Sequence, residues 1–70
     1  MRPTALKLAR IKAGLRQNEV SSATGIAITT LSRLENRKAR PSLMVLQKLS
    51  KVLNTPLDQL AQDYPIKEAQ

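Results

Sequence analysis

The sequence predicts an all-α protein of five short helices, and three observations support this. No segment shows the alternation of apolar and polar residues, with a period of two, that marks a β-strand. Apolar residues recur at helical spacing instead, and glycine and proline punctuate the chain between these segments. Seventy residues form a single domain with a thin core, spanning residues 1–70.

The first helix is predicted from its two ends. Thr4 is a suitable N-cap, and Gly14 supplies the left-handed residue that ends a helix running to Ala13. The residues at spacing i, i+3, i+4 and i+7 form the inner stripe of this helix: Leu6, Ala9, Arg10 and Ala13.

Two helices separated by a glycine turn are predicted over residues 17–36. The first of them runs from about Gln17 to Thr24 and is stopped by Gly25, which provides a positive φ. The second begins near Ile28 and ends around Asn36. Two short helices that meet at a steep angle need a small residue at their closest approach and apolar residues in the angle between them. The sequence offers these at the right spacings: Val20, Ser21, Ile26, Leu31 and Leu34.

The fourth helix has the clearest apolar face, and a fifth follows it closely. Ser42 is the predicted cap of the fourth helix and Asn54 its end. The leucines predicted to share its inner face are Leu43, Leu46, Leu49 and Leu53. A fifth helix that reaches Gln62 is predicted to follow. Its N-cap is Thr55, its first helical residue is Pro56, and Asp58 is the acid at its third position. Residues 63–70 are predicted to form a polar tail, although Tyr64 is expected to pack back on the core.

Composition excludes several classes of function. The chain has no cysteine for disulfides or thiolate metal sites and no histidine for general base catalysis, so we expect neither an enzyme nor a metal site nor a cofactor. Twelve basic residues against five acidic ones give a net charge of +7, which attracts nucleic acid or an anionic membrane surface. A single aromatic residue argues against proteins that bind RNA or single strands by base stacking.

The order of these features resembles the Cro/C1-type helix-turn-helix family, the phage-repressor and Xre-like regulators, over about residues 6–60. The matching residues are Leu6, Arg10, Gly14-Leu15, Gln17, Glu19-Val20, Gly25-Ile26, Leu31-Ser32-Arg33-Leu34-Glu35, Pro41-Ser42-Leu43, Leu46, Leu49 and Leu57-Asp58-Gln59-Leu60. The resemblance implies a lambda-repressor-like domain of five helices, with the helix-turn-helix motif at residues 17–36, that binds double-stranded DNA as a dimer.

In this family the third helix lies in the major groove, which implies four base-reading residues: Ile28, Thr29, Ser32 and Arg33. Arg33 is the sharpest candidate, because a guanidinium can bond O6 and N7 of guanine together. Ile28 departs from the glutamine common at its position, so it would contact a thymine methyl group rather than adenine. The alternatives are a phosphate contact for Arg33 and simple packing at the helix start for Ile28.

Phosphate contacts are expected from the start of the second helix and from the basic loop after the third. The candidates are Arg16, Gln17, Asn36, Arg37, Lys38 and Arg40. Arg16 and Ala27 stand where the family commonly has a capping Ser, Thr or Asn. We therefore expect the second and third helices to begin without side-chain caps, and DNA phosphate to relieve this.

The resemblance also implies two structural roles. Arg10 and Glu35 would form a partly buried ion pair between the first and third helices. Family dimers meet near the fourth and fifth helices, where the interface candidates are Met44, Val45, Leu57 and Gln59.

The sequence therefore predicts a transcription regulator, most simply a repressor that binds a pseudo-palindromic operator in the cytoplasm, with the nucleoid. One alternative is an antitoxin that represses its own operon, using Leu8, Ile11 and the tail to contact a toxin; an antirepressor is another candidate protein partner. A cationic membrane-surface protein is the alternative from a different class, although no apolar run approaches the roughly 18 residues that cross a bilayer.

Overall fold

The protein is described by a computed structural model over residues 3–64, and all of its regular structure in that range is helical. The predicted all-α class and the order of five helices are confirmed. The helices are α1 (Ala5–Lys12), α2 (Gln17–Thr24), α3 (Ile28–Glu35), α4 (Leu43–Leu53) and α5 (Leu57–Ala61).

One apolar core joins the five helices. Helix α1 packs on α3 and α5, α2 packs on α3 and α4, and α4 packs on α5. The four apolar residues predicted to fill the angle of the helix-turn-helix motif are all buried, and Ser21 beside them is half-buried. The core consists of Leu6, Ala9, Val20, Ile26, Leu31, Leu34, Leu46, Leu49, Leu53 and Leu60.

Helix α1 has the predicted cap and a slightly earlier end. The Thr4 hydroxyl accepts a hydrogen bond from the Lys7 N–H at 3.1 Å, and Gly14 takes the left-handed conformation at φ 75°. The helix ends at Lys12 with Ala13 as its C-cap. The prediction that Ala13 belongs to the inner stripe is wrong, because Ala13 lies at the exposed end of the helix.

Helix α4 begins and ends at the predicted residues. The Ser42 hydroxyl accepts a hydrogen bond from the Val45 N–H at 3.2 Å, and Asn54 ends the helix at φ 50°.

The inner face of α4 differs from the prediction at Leu43, which is 62% exposed. At about 100° per residue, Leu43 lies roughly 90° from the middle of the other three leucines. The side chains that complete the inner face are the half-buried Val45 and Val52, on the opposite side of the stripe from Leu43.

Helix α5 starts one residue later than the sequence suggests. Pro56 is its N-cap rather than its first helical residue, and the Thr55 hydroxyl donates to the Leu53 carbonyl at 3.0 Å instead of capping the helix. Asp58 still lies in the first turn, and α5 ends at Ala61.

The segment after α5 departs from the prediction of a tail that begins at residue 63. Tyr64 is buried, as expected, and its hydroxyl donates to the Leu34 carbonyl at the end of α3. Asp63 accepts a hydrogen bond from the Ala5 N–H at 2.6 Å. Both residues belong to the folded domain, and the rest of the predicted tail, residues 65–70, lies outside the described residues.

Candidate nucleic-acid interface

The turn between α2 and α3 depends on the backbone of Gly25. Its φ is 78°, and its N–H donates to the Ser21 carbonyl at 2.8 Å, which closes α2. A Cβ atom built on Gly25 would meet no atom within 4 Å, so conformation rather than lack of space requires glycine here. Thr24 completes the turn, because its hydroxyl donates to the Val20 carbonyl at 2.7 Å and accepts from the Ile26 N–H at 3.2 Å.

Helix α3 has an inner and an outer face. Leu31, Leu34 and Glu35 are buried against the domain, whereas the outer face points to solvent. Of the four predicted base-reading residues, Ile28, Thr29 and Arg33 are exposed and Ser32 is half-buried. The arrangement leaves three of the four predicted base-reading side chains accessible from outside the domain.

Glu35 fixes the inner end of α3 to α1. Arg10 Nε lies 2.6 Å from Glu35 Oε2, and Arg10 Nη2 donates to Glu35 Oε1 at 3.2 Å. Arg10 Nη1 also donates to the Leu15 carbonyl at 2.9 Å. The side chains are 13% and 3% exposed, so the ion pair is largely shielded from water. Arg10 therefore joins the end of α1, the turn after it and the end of α3.

Gln17 joins the same cluster. Its side-chain amide donates to Glu35 Oε1 at 3.1 Å, so this amide faces the interior instead of the surface on which a phosphate was predicted to bind. The backbone of Gln17 still forms the first residue of α2, where the positive end of the helix dipole favours an anion.

Neither α2 nor α3 starts with a side-chain cap. Arg16 and Ala27 both have extended backbones at these positions, and neither side chain accepts a hydrogen bond from its helix. Helix α2 has a substitute that the sequence analysis missed, since Glu19 Oε1 accepts from the Arg16 N–H at 2.7 Å. An acidic residue at the third position of a helix is the signal that would have revealed it.

The exit from α3 is a tight, left-handed turn. Arg37 has φ 59°, a conformation that glycine or asparagine adopts more easily than arginine. The Lys38 N–H donates to the Arg33 carbonyl at 2.8 Å and the Arg37 N–H to the Leu34 carbonyl at 3.3 Å, the two bonds of a Schellman motif. The Asn36 amide donates to the Ser32 carbonyl at 2.8 Å, which further closes this end.

The basic loop that follows contains three exposed cations, one of which is paired within the protein. Arg37 Nη2 lies 3.1 Å from Asp63 Oδ1. Lys38 and Arg40 are exposed. A surface groove of about 420 Å³ is lined by these residues and their neighbours, Arg37, Lys38, Ala39, Arg40, Asp63 and Tyr64. Neither Asp63 nor Tyr64 is predicted from the sequence to belong to this site.

Tyr64 is held in its neutral form by its surroundings. Burial raises the pKa of the Tyr64 hydroxyl to about 12, and the nearby negative charges of Asp63 and Glu35 act in the same direction. The hydroxyl therefore remains a hydrogen-bond donor to the end of α3 over the whole physiological pH range.

The predicted dimer residues lie on more than one surface. Met44, 64% exposed, and Leu57 line one groove of about 480 Å³ together with Lys48 and Lys51. Val45 packs against the core. The fourth residue, Gln59, lines a different groove of about 550 Å³ beside α1.

Within residues 3–64, no three or more acidic, histidine or cysteine side chains are grouped so that they could hold a metal ion. None of the described helices has the length and apolar character needed to cross a bilayer.

Comparison with known proteins identifies the family. A family model described as helix-turn-helix matches residues 6–60, which include α2, the Gly25 turn and α3 together with α4 and most of α1 and α5. Searches of curated proteins and of solved structures gave no match. The match covers most of the chain and the geometry of the motif agrees with it, so the chain belongs to the Cro/C1-type helix-turn-helix family of DNA-binding transcription regulators.

Proposed function

We propose that this protein is a repressor that binds a pseudo-palindromic operator as a dimer. The observation that carries the proposal is the two-sided arrangement of α3. Its inner face is fixed by packing and by the Arg10–Glu35 pair, while Thr29 and Arg33 are exposed on its outer face beside the cations of the basic loop. A rigid helix with an exposed outer face and flanking positive charge is what major-groove recognition requires.

Base reading is assigned to Ile28, Thr29, Ser32 and Arg33. Arg33 donates to guanine through its guanidinium, whereas Ile28, which is 45% exposed, offers only an apolar surface to a thymine methyl group. Phosphate binding is assigned to Arg16, Lys38, Arg40 and the backbone at the start of α2, with Asn36 at the loop's edge. The protein acts as a regulator rather than an enzyme, in the cytoplasm with the nucleoid, and needs neither a metal nor a cofactor for this mode of binding.

Selection of bound sites from random duplexes at two salt concentrations tests this assignment. We expect Arg33→Ala to relax specificity at one base position, at a cost of roughly 1–3 kcal/mol in binding free energy. Lys38→Ala removes a phosphate contact, so it should weaken all sequences alike and reduce the salt dependence by about one contact.

Lys12→Ala is the matched control, because it removes one positive charge on the groove beside α1 instead of near α3. Equal behaviour of the Arg33, Lys38 and Lys12 variants would contradict the proposed function, since only non-specific attraction would then remain.

The dimer is tested separately. Met44 and Leu57 supply apolar surface at one groove between α4 and α5, so Met44→Asp should weaken cooperative binding to a selected two-fold site. Half-sites are expected about 34–36 Å apart. Sedimentation of the wild type with a full site and with a half-site distinguishes a dimer from independent monomers.

The antitoxin alternative has one observation in its favour. Leu8 and Ile11 are 52% and 55% exposed on the outer side of α1, away from the core. An antitoxin would use them to bind a toxin while α3 binds the operator. Co-purification with the product of a neighbouring gene, abolished by Ile11→Ser without loss of DNA binding, would support this function over simple repression.

A further inference from the structure

The basic loop after α3 contains an arginine that already binds a carboxylate of its own chain. Arg37 Nη2 lies 3.1 Å from Asp63 Oδ1, and the two side chains are 36% and 20% exposed. Lys38 and Arg40 belong to the same groove, and both are exposed to solvent. The three cations of this loop therefore differ in what they can offer to DNA.

Asp63 is fixed in this position from two sides. Its other oxygen, Oδ2, accepts a hydrogen bond from the Ala5 N–H at 2.6 Å, at the start of α1. The next residue, Tyr64, is buried and donates to the end of α3. The carboxylate is consequently anchored beside Arg37 instead of belonging to a loose tail.

A carboxylate and a phosphate bind a guanidinium in the same way, through charge-assisted hydrogen bonds. An ion pair with partly exposed members contributes little to stability, so either member can be substituted without unfolding the domain. Because Asp63 lines the same groove as the three cations, its negative charge also lies where a phosphate of bound DNA would approach.

We propose that Asp63 takes the place of a DNA phosphate on Arg37, and so sets the number of phosphate contacts that the basic loop makes. This inference rests on the proposed function. In the wild type, Lys38 and Arg40 contact phosphate while Arg37 remains paired within the protein. Asp63 thus lowers the general affinity for DNA without touching a base.

The test is fluorescence anisotropy with one random-sequence duplex of 20 base pairs, over a series of KCl concentrations. Asp63→Asn should release Arg37 from this carboxylate to phosphate, tighten binding about fivefold to tenfold at 0.1 M salt, and steepen the slope of log K against log salt by about 0.9. The double variant Arg37→Ala/Asp63→Asn should bind within twofold of the wild type, because it removes a pair with no net charge. Arg37→Ala alone leaves the charge of Asp63 unmatched and lowers the affinity, but it should leave the salt slope unchanged, because it removes no phosphate contact.

Two controls isolate the effect. Asp58→Asn removes one exposed negative charge on α5, and its gain should be smaller than that of Asp63→Asn and independent of residue 37. Lys38→Ala reports on a cation with no such carboxylate contact in the described structure, and it should flatten the salt slope by about 0.9, which Arg37→Ala should not. Asparagine at position 63 retains an oxygen that can accept from the Ala5 N–H, and thermal melts verify that each variant is folded.

Several outcomes would overturn the inference. One is that Arg37→Ala flattens the salt slope of the wild type as much as Lys38→Ala, a comparison that needs no variant of Asp63. Another is that Asp63→Asn weakens binding or leaves it unchanged, or that the double variant Arg37→Ala/Asp63→Asn keeps the whole gain over the wild type. If Lys38→Ala retains its effect in these cases, only this inference fails. If Lys38→Ala and Arg33→Ala have no effect either, the proposed function fails.

Discussion

Arg10 lies against the inner face of α3 and Arg33 on its outer face, and the two arginines differ sharply in their exposure to solvent. Arg10 is largely shielded and donates to Glu35 and to the Leu15 carbonyl, whereas Arg33 is exposed on the outer face of α3. In the described part of the chain, no buried side-chain nitrogen or oxygen lacks a hydrogen-bond partner. The inner cluster therefore holds α3 in one orientation and leaves the outer face of this helix exposed.

The comparison also shows why a thin core can support a rigid site. A short helix such as α3 has little stability of its own, so its position depends on what it packs against. Four side chains from distant parts of the chain reach its inner end: Thr4, Arg10, Gln17 and Tyr64.

The largest expected effect comes from breaking the inner cluster. Glu35→Gln removes the negative charge that balances Arg10, leaving a shielded guanidinium without its counter-ion. We expect a loss of about 3–5 kcal/mol in the free energy of unfolding, measured by urea denaturation.

Glu19→Gln is the control for this prediction, because Glu19 is exposed and glutamine also serves at the third position of a helix. Its cost should stay below about 1 kcal/mol. If the two substitutions cost the same, Glu35 behaves as a surface group and the contrast between the two faces of α3 is wrong.

A smaller effect is expected from Tyr64 at high pH. The pKa of its hydroxyl is about 12 in the folded protein against 10.0 unperturbed, so the folded state favours the neutral phenol. Stability from this group is complete below pH 10 and is lost as the pH rises from 10 to 12. The full loss in the free energy of unfolding is on the order of 2–3 kcal/mol, since one pKa unit corresponds to about 1.4 kcal/mol.

The measurement is urea denaturation of the wild type and Tyr64→Phe at pH 8, 10 and 11. The difference between the two proteins removes the contribution of lysines, which titrate in the same range. The wild type should lose more stability than the variant above pH 10. Parallel curves would show that the hydroxyl is not shielded at the end of α3.

The smallest effect concerns the start of α3. Ala27 has an extended backbone and gives the helix no side-chain cap, so Ala27→Ser should raise the free energy of unfolding by about 0.5–1 kcal/mol. Ala23→Ser is the matched control, because it makes the same change at an exposed position inside α2, where serine is slightly unfavourable. If Ala27→Ser does not raise the free energy of unfolding, water already hydrogen-bonds the N–H groups at the start of α3 as effectively as a serine side chain would.

The helices and their ends were predictable because their signals are local. Each cap or helix-ending residue acts within three or four residues of its own position and lies where the sequence predicts it. These residues are Thr4, Gly14, Gly25, Ser42 and Asn54. Helical spacing also predicts which residues form the outer face of α3, once Leu31 and Leu34 are placed on its inner face.

The parts that were missed depend on contacts between distant residues. Asp63 bonds to Ala5, 58 residues away, and Tyr64 bonds to Leu34, 30 residues away. No short pattern encodes such pairs, so the sequence alone places residue 63 in a tail. The inward orientation of the Gln17 amide has the same origin, because its partner Glu35 is 18 residues along the chain. The wrong prediction that Leu43 is buried has a different cause. A stripe of leucines on a helix does not show which of them lie at its centre and which at its exposed edge.

The bond between Tyr64 and the end of α3 also bears on synthesis. A ribosome completes α3 at Glu35, but the tyrosine that fastens it is added almost 30 residues later. A nascent chain can thus carry the whole helix-turn-helix motif before that motif has its final support. DNA binding is expected to become effective only after residue 64 has left the exit tunnel.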